Sequence, residues 1–261
     1  GIHKALDMAG SAIGIFISFL LLENLDKTLA YKELFAISII PALLGLFMFI
    51  FIKEKRTHST VPNREPFWQN MKKLDGQLKL YLLVAFLFTL GNSSNAFLLL
   101  RAKSVGFDDK NVILLYFVFN LTASILSIPL GRLSDRIGRK KLLVTGYIVF
   151  STVYLGFAFA SSQTTIIFAF ILYGFYTAMI TGVERAYIAE ISPKDLKGTM
   201  LGLHSTIVGA ALLPASLIAG FLWDGFGAPA TFMFGAGMSL LAAFTLLLFM
   251  KNNDLLANKK A

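Results

Sequence analysis

The sequence predicts an all-α protein that crosses a membrane several times, and three observations favour this fold class. Of the 261 residues, 56% are apolar and only 15% are charged, and the mean hydropathy is +0.69. A soluble domain carries about 25% charged residues to cover its surface, so much of this surface must face lipid. Apolar runs of about 20 residues, the length that crosses a bilayer as a helix, also recur along the chain.

Eight such runs are separated by polar or turn-forming segments. Buried helices of a soluble protein are a poor explanation, because eight of them in 261 residues leave nothing to bury them with. A spanning β-barrel would alternate apolar and polar residues, whereas residues 242–249 read AAFTLLLF. We predict spans near residues 5–22, 33–52, 80–100, 112–130, 142–160, 164–188, 199–222 and 229–250.

Basic residues are divided unequally between the two sides of the predicted membrane. Over alternate loops and both ends, 18 Lys and Arg residues fall on one side and five on the other, while Arg185 falls within a span. Cytoplasmic loops are the basic ones in membrane proteins. We therefore expect a multi-pass protein of a cell membrane, bacterial in type, with both chain ends and residues 53–79 in the cytoplasm. The net charge of +9 then reflects topology, and the expected partner is the lipid bilayer rather than nucleic acid.

A short internal repeat suggests a longer protein. Residues 1–3, GIH, are matched by residues 202–204, GLH, and an apolar helix rich in small residues follows each copy. The first predicted span then corresponds to the seventh, with six spans between equivalent positions. This spacing predicts twelve spans in the complete protein, four of them preceding Gly1. The absence of a starting Met agrees with this interpretation.

The most specific feature is the segment GRLSDRIGRKK at residues 131–141. Gly131 and Gly138 permit a tight turn between antiparallel helices. Asp135 can accept hydrogen bonds from backbone N–H groups at a neighbouring helix start, where the helix dipole favours an anion. The basic residues are expected to stay in the aqueous interface, and they are Arg136, Arg139 and Lys140. A solvated loop that only sets topology remains an alternative.

This segment resembles the G-x-L-x-D-R-x-G-R-K signature of the major facilitator superfamily, in the copy between the second and third spans of that family's C-terminal half. The resemblance implies an MFS-type helical bundle with eight transmembrane helices present of a presumed twelve, so the missing N-terminal helices would be partners. It divides the chain into the last two helices of the N-terminal half (1–52), a central cytoplasmic loop (53–79), the six-helix C-terminal half (80–250) and a cytoplasmic tail (251–261).

The resemblance also implies a function, namely secondary active or facilitated transport of a small solute by alternating access. The solute and a coupled proton or other ion would be the partners. The signature segment would close the cytoplasmic side, so we expect Asp135 to face the start of the first span and Arg139 to pair with Glu190. A non-transporting relative that senses a solute and signals is the alternative function.

Three ionisable residues lie within predicted spans, where such residues usually mark a pathway, a relay or a pair. Glu184 and Arg185 precede Ser192 by seven or eight residues, which puts them about 10–12 Å into the span. Asp7 lies at comparable depth when it is aligned through the repeat, and it is a candidate counter-ion for Arg185. Glu184 is then the better candidate for protonation or solute contact. For Arg185, a packing pair with an acid on another helix is an equal alternative.

Asparagines supply the uncharged candidates. Asn92 and Asn95 lie in the third predicted span and Asn120 in the fourth, where they either line a polar cavity or bond across helices. Enzyme motifs are missing, because the sequence has no Cys, no H-E-x-x-H and no phosphate-binding Gly-rich loop. The three His residues lie at or outside the ends of predicted spans. We expect no enzymatic activity, no cofactor and no metal.

Overall fold

The structure is a computed structural model that describes residues 2–24, 27–51 and 74–250. In these residues all the regular elements are helical. They comprise α1 (Ile2–Asn24), α2 (Lys27–Met48), α3 (Gly76–Gly91), α4 (Ala96–Ser104), α5 (Asp109–Ile137), α6 (Arg139–Ala158), α7 (Gln163–Ile191), α8 (Lys197–Phe226) and α9 (Ala228–Phe249), with 3₁₀ turns at Phe49–Phe51 and Lys194–Leu196.

Eight segments of the described chain are long and apolar enough to cross a membrane, with α3 and α4 together counted as one segment, Gly76–Ser104. They coincide with the eight predicted spans, so the prediction of an all-α polytopic membrane protein is confirmed. Most of the predicted central loop and the tail at 251–261 lie outside the described residues, as do the side chains of residues 1–4.

The chain divides into two units, one formed by Gly1–Ile15 with Asp75–Ala261 and the other by Phe16–Leu74. In the smaller unit, α2 exposes large apolar side chains such as Phe35, Ile39 and Leu43. Side chains of this kind are stable on a helix surface in contact with lipid tails or other helices.

The core of the larger unit lies along α6, which packs against α7 and α9. Tyr147, Phe150, Tyr154 and Phe157 recur at helical spacing on α6, and each is at most 1% exposed. The rings of Phe150 and Tyr154 are stacked with centroids 3.9 Å apart. This aromatic stripe gives the surrounding helices a tightly packed surface.

Glycines allow α3 and α9 to pack backbone against backbone. A Cβ atom on Gly235 would lie 2.5 Å from the carbonyl oxygen of Gly91, and a Cβ atom on Gly91 would lie 2.8 Å from the carbonyl oxygen of Gly235. Neither position can hold a larger side chain without moving a helix. The close approach fixes the end of α3, where the third span is interrupted.

The predicted loop at residues 131–141 is wrong in its extent. Helix α5 continues through Gly131 to Ile137, and α6 begins at Arg139. Gly138 alone separates the two helices, with a φ of 93° that L side chains rarely adopt. One glycine is enough for this turn, so Gly131 does not have its predicted role there and is a residue of helix α5.

Candidate functional site

The third span is interrupted at residues 92–95, where the sequence is Asn-Ser-Ser-Asn. Asn and Ser side chains compete with the backbone for hydrogen bonds and so disfavour continuous helix. Here the Ser94 hydroxyl accepts a hydrogen bond from the backbone N–H of Ala96. Irregular backbone at membrane depth is tolerated where it is buried in protein or lines a polar cavity.

We call the five residues at this interruption the amide cluster: Asn92, Asn95, Tyr116, Tyr173 and Tyr176. The Tyr173 hydroxyl donates to Oδ1 of Asn95 over 2.8 Å, and Nδ2 of Asn95 donates to the Tyr116 hydroxyl over 3.4 Å. Nδ2 of Asn92 donates to the Tyr176 hydroxyl over 3.4 Å. Helices α5 and α7 thus supply phenol groups to amides on the interrupted span, and all five side chains are uncharged.

Asn120, the third candidate asparagine, is not part of this cluster. It is 4% exposed, and its Nδ2 donates to the backbone carbonyl of Tyr116 one turn earlier on the same helix over 2.8 Å. The structure therefore gives Asn92 and Asn95 bonds between helices, and Asn120 a bond within its own helix.

A second polar group surrounds Glu184 on α7, and we call it the carboxyl cluster: Glu184, Tyr147, Tyr81 and His204. The Tyr147 hydroxyl donates to Oε1 of Glu184 over 3.2 Å. The Tyr81 hydroxyl donates to the backbone carbonyl of Glu184 over 3.4 Å. Both tyrosines are fully buried, so α3 and α6 place phenol groups around this one acid.

His204 joins the carboxyl cluster through its ring, which is stacked on Tyr81 with centroids 5.9 Å apart. It lies inside α8, is 5% exposed, and its Nε2 has no hydrogen-bond partner among the described residues. This corrects the expectation that all three His residues lie at or outside span ends. The sequence already indicated the position of His204 within the membrane, because this residue lies five residues inside the predicted span 199–222.

The other two intramembrane candidates are not paired with each other in the part of the chain that the structure describes. Asp7 and Arg185 are both exposed, and none of the ion pairs between described residues joins them. Arg185 follows Glu184 directly, so their side chains point about 100° apart around the helix. The proposed counter-ion role of Asp7 gains no support from this arrangement.

The basic turn, which we define as Asp135, Arg139 and Glu190, contains the predicted pairing. Nη1 of Arg139 lies 2.6 Å from Oε2 of Glu190 and donates to the backbone carbonyl of Ala186 over 3.4 Å. Nη2 of Arg139 lies 3.3 Å from Oδ1 of Asp135. Arg139 therefore joins the end of α5 to the end of α7.

The remaining residues of the signature segment have different surroundings. Lys140 is half-buried, and its Nζ donates to the backbone carbonyls of Leu247 and Met250 at the end of α9. A cation is favourable at that helix end. Arg136 is exposed, and the side chain of Asp135 is 68% exposed. The side chains of residues 1–4, which directly precede the predicted first span, lie outside the described residues, and the contact of Asp135 with the start of that span stays a prediction.

The acidic and His side chains do not form a metal-binding group in the described residues. In residues 2–24, 27–51 and 74–250, no group of three or more such side chains is placed to hold a metal ion.

Eight membrane-length helices, two polar clusters and a paired basic turn define the described chain as a polytopic membrane protein. Residues 80–261 match the Major Facilitator Superfamily, and the chain belongs to this family. The family consists of transporters, in agreement with the expectation that the chain is not an enzyme.

Three relatives show the range of the similarity. An uncharacterised MFS-type transporter of Methanocaldococcus jannaschii is 38% identical over 95% of this chain and 62% of its own length. A multi-drug resistance efflux pump PmrA homolog of Lactococcus lactis subsp. lactis is 32% identical over 60% of this chain and 40% of its own length. A D-xylose transporter of Levilactobacillus brevis is 33% identical over 42% of this chain and 26% of its own length. The chain thus spans less than two thirds of each relative.

Proposed function

We propose that this chain is part of a secondary transporter that moves a small solute across a cell membrane by alternating access. The single observation that carries the proposal is the amide cluster, an interruption of a spanning helix that presents amide and phenol groups from three spans. Interrupted helices near the membrane midplane are how many transporters build solute sites. The same proposal includes the division into domains, the location of both chain ends in the cytoplasm and the missing N-terminal helices.

The chemistry of the amide cluster favours an uncharged, hydrogen-bonding solute. Its five side chains offer donors, acceptors and aromatic ring faces but no charge, and a charged solute would lack a compensating partner there. Asn92, Asn95 and Tyr116 are partly exposed while Tyr173 and Tyr176 are buried. The first three are therefore the expected solute contacts.

Uptake into lipid vesicles containing the purified protein tests this proposal. We expect uptake of D-xylose, the solute in the name of one relative, or of a similar neutral polyol, in preference to a fluorescent lipophilic cation. Replacing Asn95→Ala removes bonds to Tyr116 and Tyr173, and should lower uptake at least tenfold, equivalent to about 1.4 kcal/mol. Asn111→Ala is the control, because Asn111 is exposed at the start of α5. Preference for the cation, or equal uptake by both variants, would contradict the proposed solute site.

We further propose that the basic turn closes the cytoplasmic side in one state of the cycle. The pairing of Arg139 with Glu190 and Asp135 connects two spans at one end of the bundle, which is where a latch must act. A partly exposed bond of this kind contributes about 1 kcal/mol, so Arg139→Gln should shift the equilibrium toward the cytoplasm-open state about fivefold.

Cysteine labelling tests the latch, since the chain has no native Cys. Ser94→Cys lies at the exposed edge of the interrupted span, and an impermeant maleimide should label it from outside in the outward-open state. Arg139→Gln should slow that labelling, and Arg136→Gln, at an exposed position, should not. Equal labelling of both variants would rule out the latch.

A further inference from the structure

The carboxyl cluster contains an acid with little compensation for a negative charge. Glu184 lies within the membrane-length helix Gln163–Ile191, and its carboxyl accepts one hydrogen bond, from the neutral Tyr147 hydroxyl. None of the ion pairs among the described residues includes Glu184. Glu184 is partly buried. A carboxylate that has lost part of its contact with water is costly unless it is paired or well hydrogen-bonded, and a proton neutralises it when neither is available.

His204 is a second unusual group in the same cluster. A buried nitrogen without a hydrogen-bond partner destabilises the folded state, and Nε2 of His204 is such a nitrogen among the described residues. Its ring is stacked on Tyr81, whose hydroxyl bonds to the backbone of Glu184. The nitrogen is therefore available for a proton or for a hydrogen bond that forms in another state of the protein.

The other ionisable groups around these two residues come from three helices. Tyr81 is on α3, Tyr147 on α6, and Tyr176, Arg185 and Tyr187 on α7. Arg185 directly follows Glu184, and its exposed side chain points about 100° away around the helix. Helix α9, which packs against α6 and α3, has no titratable residue in its sequence. Apart from Glu184 and His204 themselves, the ionisable groups named here are thus phenols and one cation.

We propose that Glu184 is the proton-binding residue that couples solute movement to a proton gradient, with His204 as a second proton-accepting group beside it. This inference rests on the proposed transport function. One proton passes from water to the carboxylate of Glu184 on one side of the membrane and returns to water on the other side. Tyr147 keeps its own proton throughout and stabilises the charged form by donating to Oε1.

Infrared difference spectroscopy on the purified protein in lipid tests the site without a solute. Lowering the pH should produce the carbonyl-stretch band of a protonated carboxyl group shielded from water. Glu184→Gln should abolish this band, and Glu33→Gln, the same change at an exposed position on α2, should retain it. Persistence of the band in Glu184→Gln, or its absence from the unmodified protein, would overturn the proposal.

His204→Phe tests the second part, because phenylalanine keeps a ring that can stack on Tyr81 and removes both nitrogens. Loss of a neighbour that can carry positive charge makes the carboxylate less favourable. The Glu184 band should therefore persist to higher pH in this variant. A pH profile unchanged from that of the unmodified protein would show that His204 only packs against Tyr81 and does not take part in proton binding.

A transport measurement separates failure of this inference from failure of the proposed function. With the neutral polyol used in the uptake assay, Glu184→Gln should lose accumulation driven by a proton gradient and keep exchange of labelled for unlabelled solute. Continued proton-driven accumulation by this variant would overturn the proton site and leave the transport function standing. Absence of exchange in the unmodified protein would instead contradict the transport function, while the infrared result would still decide the proton site.

Discussion

The amide cluster and the carboxyl cluster share the third span and α7, yet they contain different chemistry. Tyr176 and Tyr173 on α7 bond to the neutral amides of the interruption, whereas Glu184, eight residues after Tyr176, is an acid whose backbone carbonyl bonds to Tyr81 on α3. Eight residues of helix correspond to about 12 Å. The third span and α7 thus contribute to an uncharged cluster and to an ionisable cluster at separate depths.

The layer between the two clusters is aromatic. The ring of Phe88 is stacked on Tyr147 with centroids 4.2 Å apart and lies 6.2 Å from the ring of Tyr176. Phe150 contacts both Phe88 and Tyr176. Close-packed rings leave little room for water, so this layer separates the two clusters.

The largest effect on stability is expected at Gly235, the residue of α9 that packs against the end of α3. A Cβ atom there would lie 2.5 Å from the Gly91 carbonyl oxygen and 2.6 Å from the Tyr154 ring. Overpacking of this kind costs about 1–3 kcal/mol, so Gly235→Ala should lower the thermal unfolding temperature in detergent and weaken solute uptake. Gly237→Ala is the control, because no atom lies within 4 Å of its added Cβ.

Gly235→Ala should affect the amide cluster and leave the carboxyl cluster intact. Gly91 directly precedes the interrupted segment, whereas Glu184 is bonded to α6 and α3 away from this contact. The infrared band of Glu184 should therefore survive Gly235→Ala in the folded fraction of the protein. Equal stability of the two glycine variants would show that the backbone contact does not hold the interruption in place.

Much of the fold followed from the sequence because membrane physics leaves few choices. Each apolar run of about 20 residues must form a helix that satisfies its own backbone, which is why all eight spans were predictable. The Arg139–Glu190 pairing could also be anticipated, once the signature segment had been matched to its family.

The parts that could not be predicted depend on contacts between distant residues. Tyr81 and Tyr147 are two of eight tyrosines, and nothing in their local sequence shows that both reach Glu184. The turn at Gly138 was predicted too long, because a glycine in the middle of a helix and a glycine with positive φ look alike in sequence. The end of α3 at Gly91 similarly depends on Gly235, which lies far along the chain.

The smaller effect is expected at Phe88, whose ring lies between the two clusters. Phe88→Leu keeps an apolar side chain and removes the stacking with Tyr147, so each cluster should retain its own binding. If the Phe88 ring couples the two clusters, binding of the neutral polyol should shift the pH profile of the Glu184 band less in Phe88→Leu than in the unmodified protein. A coupling free energy of about 1 kcal/mol corresponds to a change of about fivefold in proton affinity.

Phe168→Leu is the matched control, since Phe168 is 62% exposed on α7 and should leave the coupling intact. Coupling between two binding equilibria is reciprocal, so the pH dependence of solute binding must weaken in Phe88→Leu by the same factor. A solute-dependent shift that is equal in both leucine variants would mean that the clusters communicate by another route. Loss of solute binding itself would instead place Phe88 within the solute site, and the two clusters would then form one continuous site.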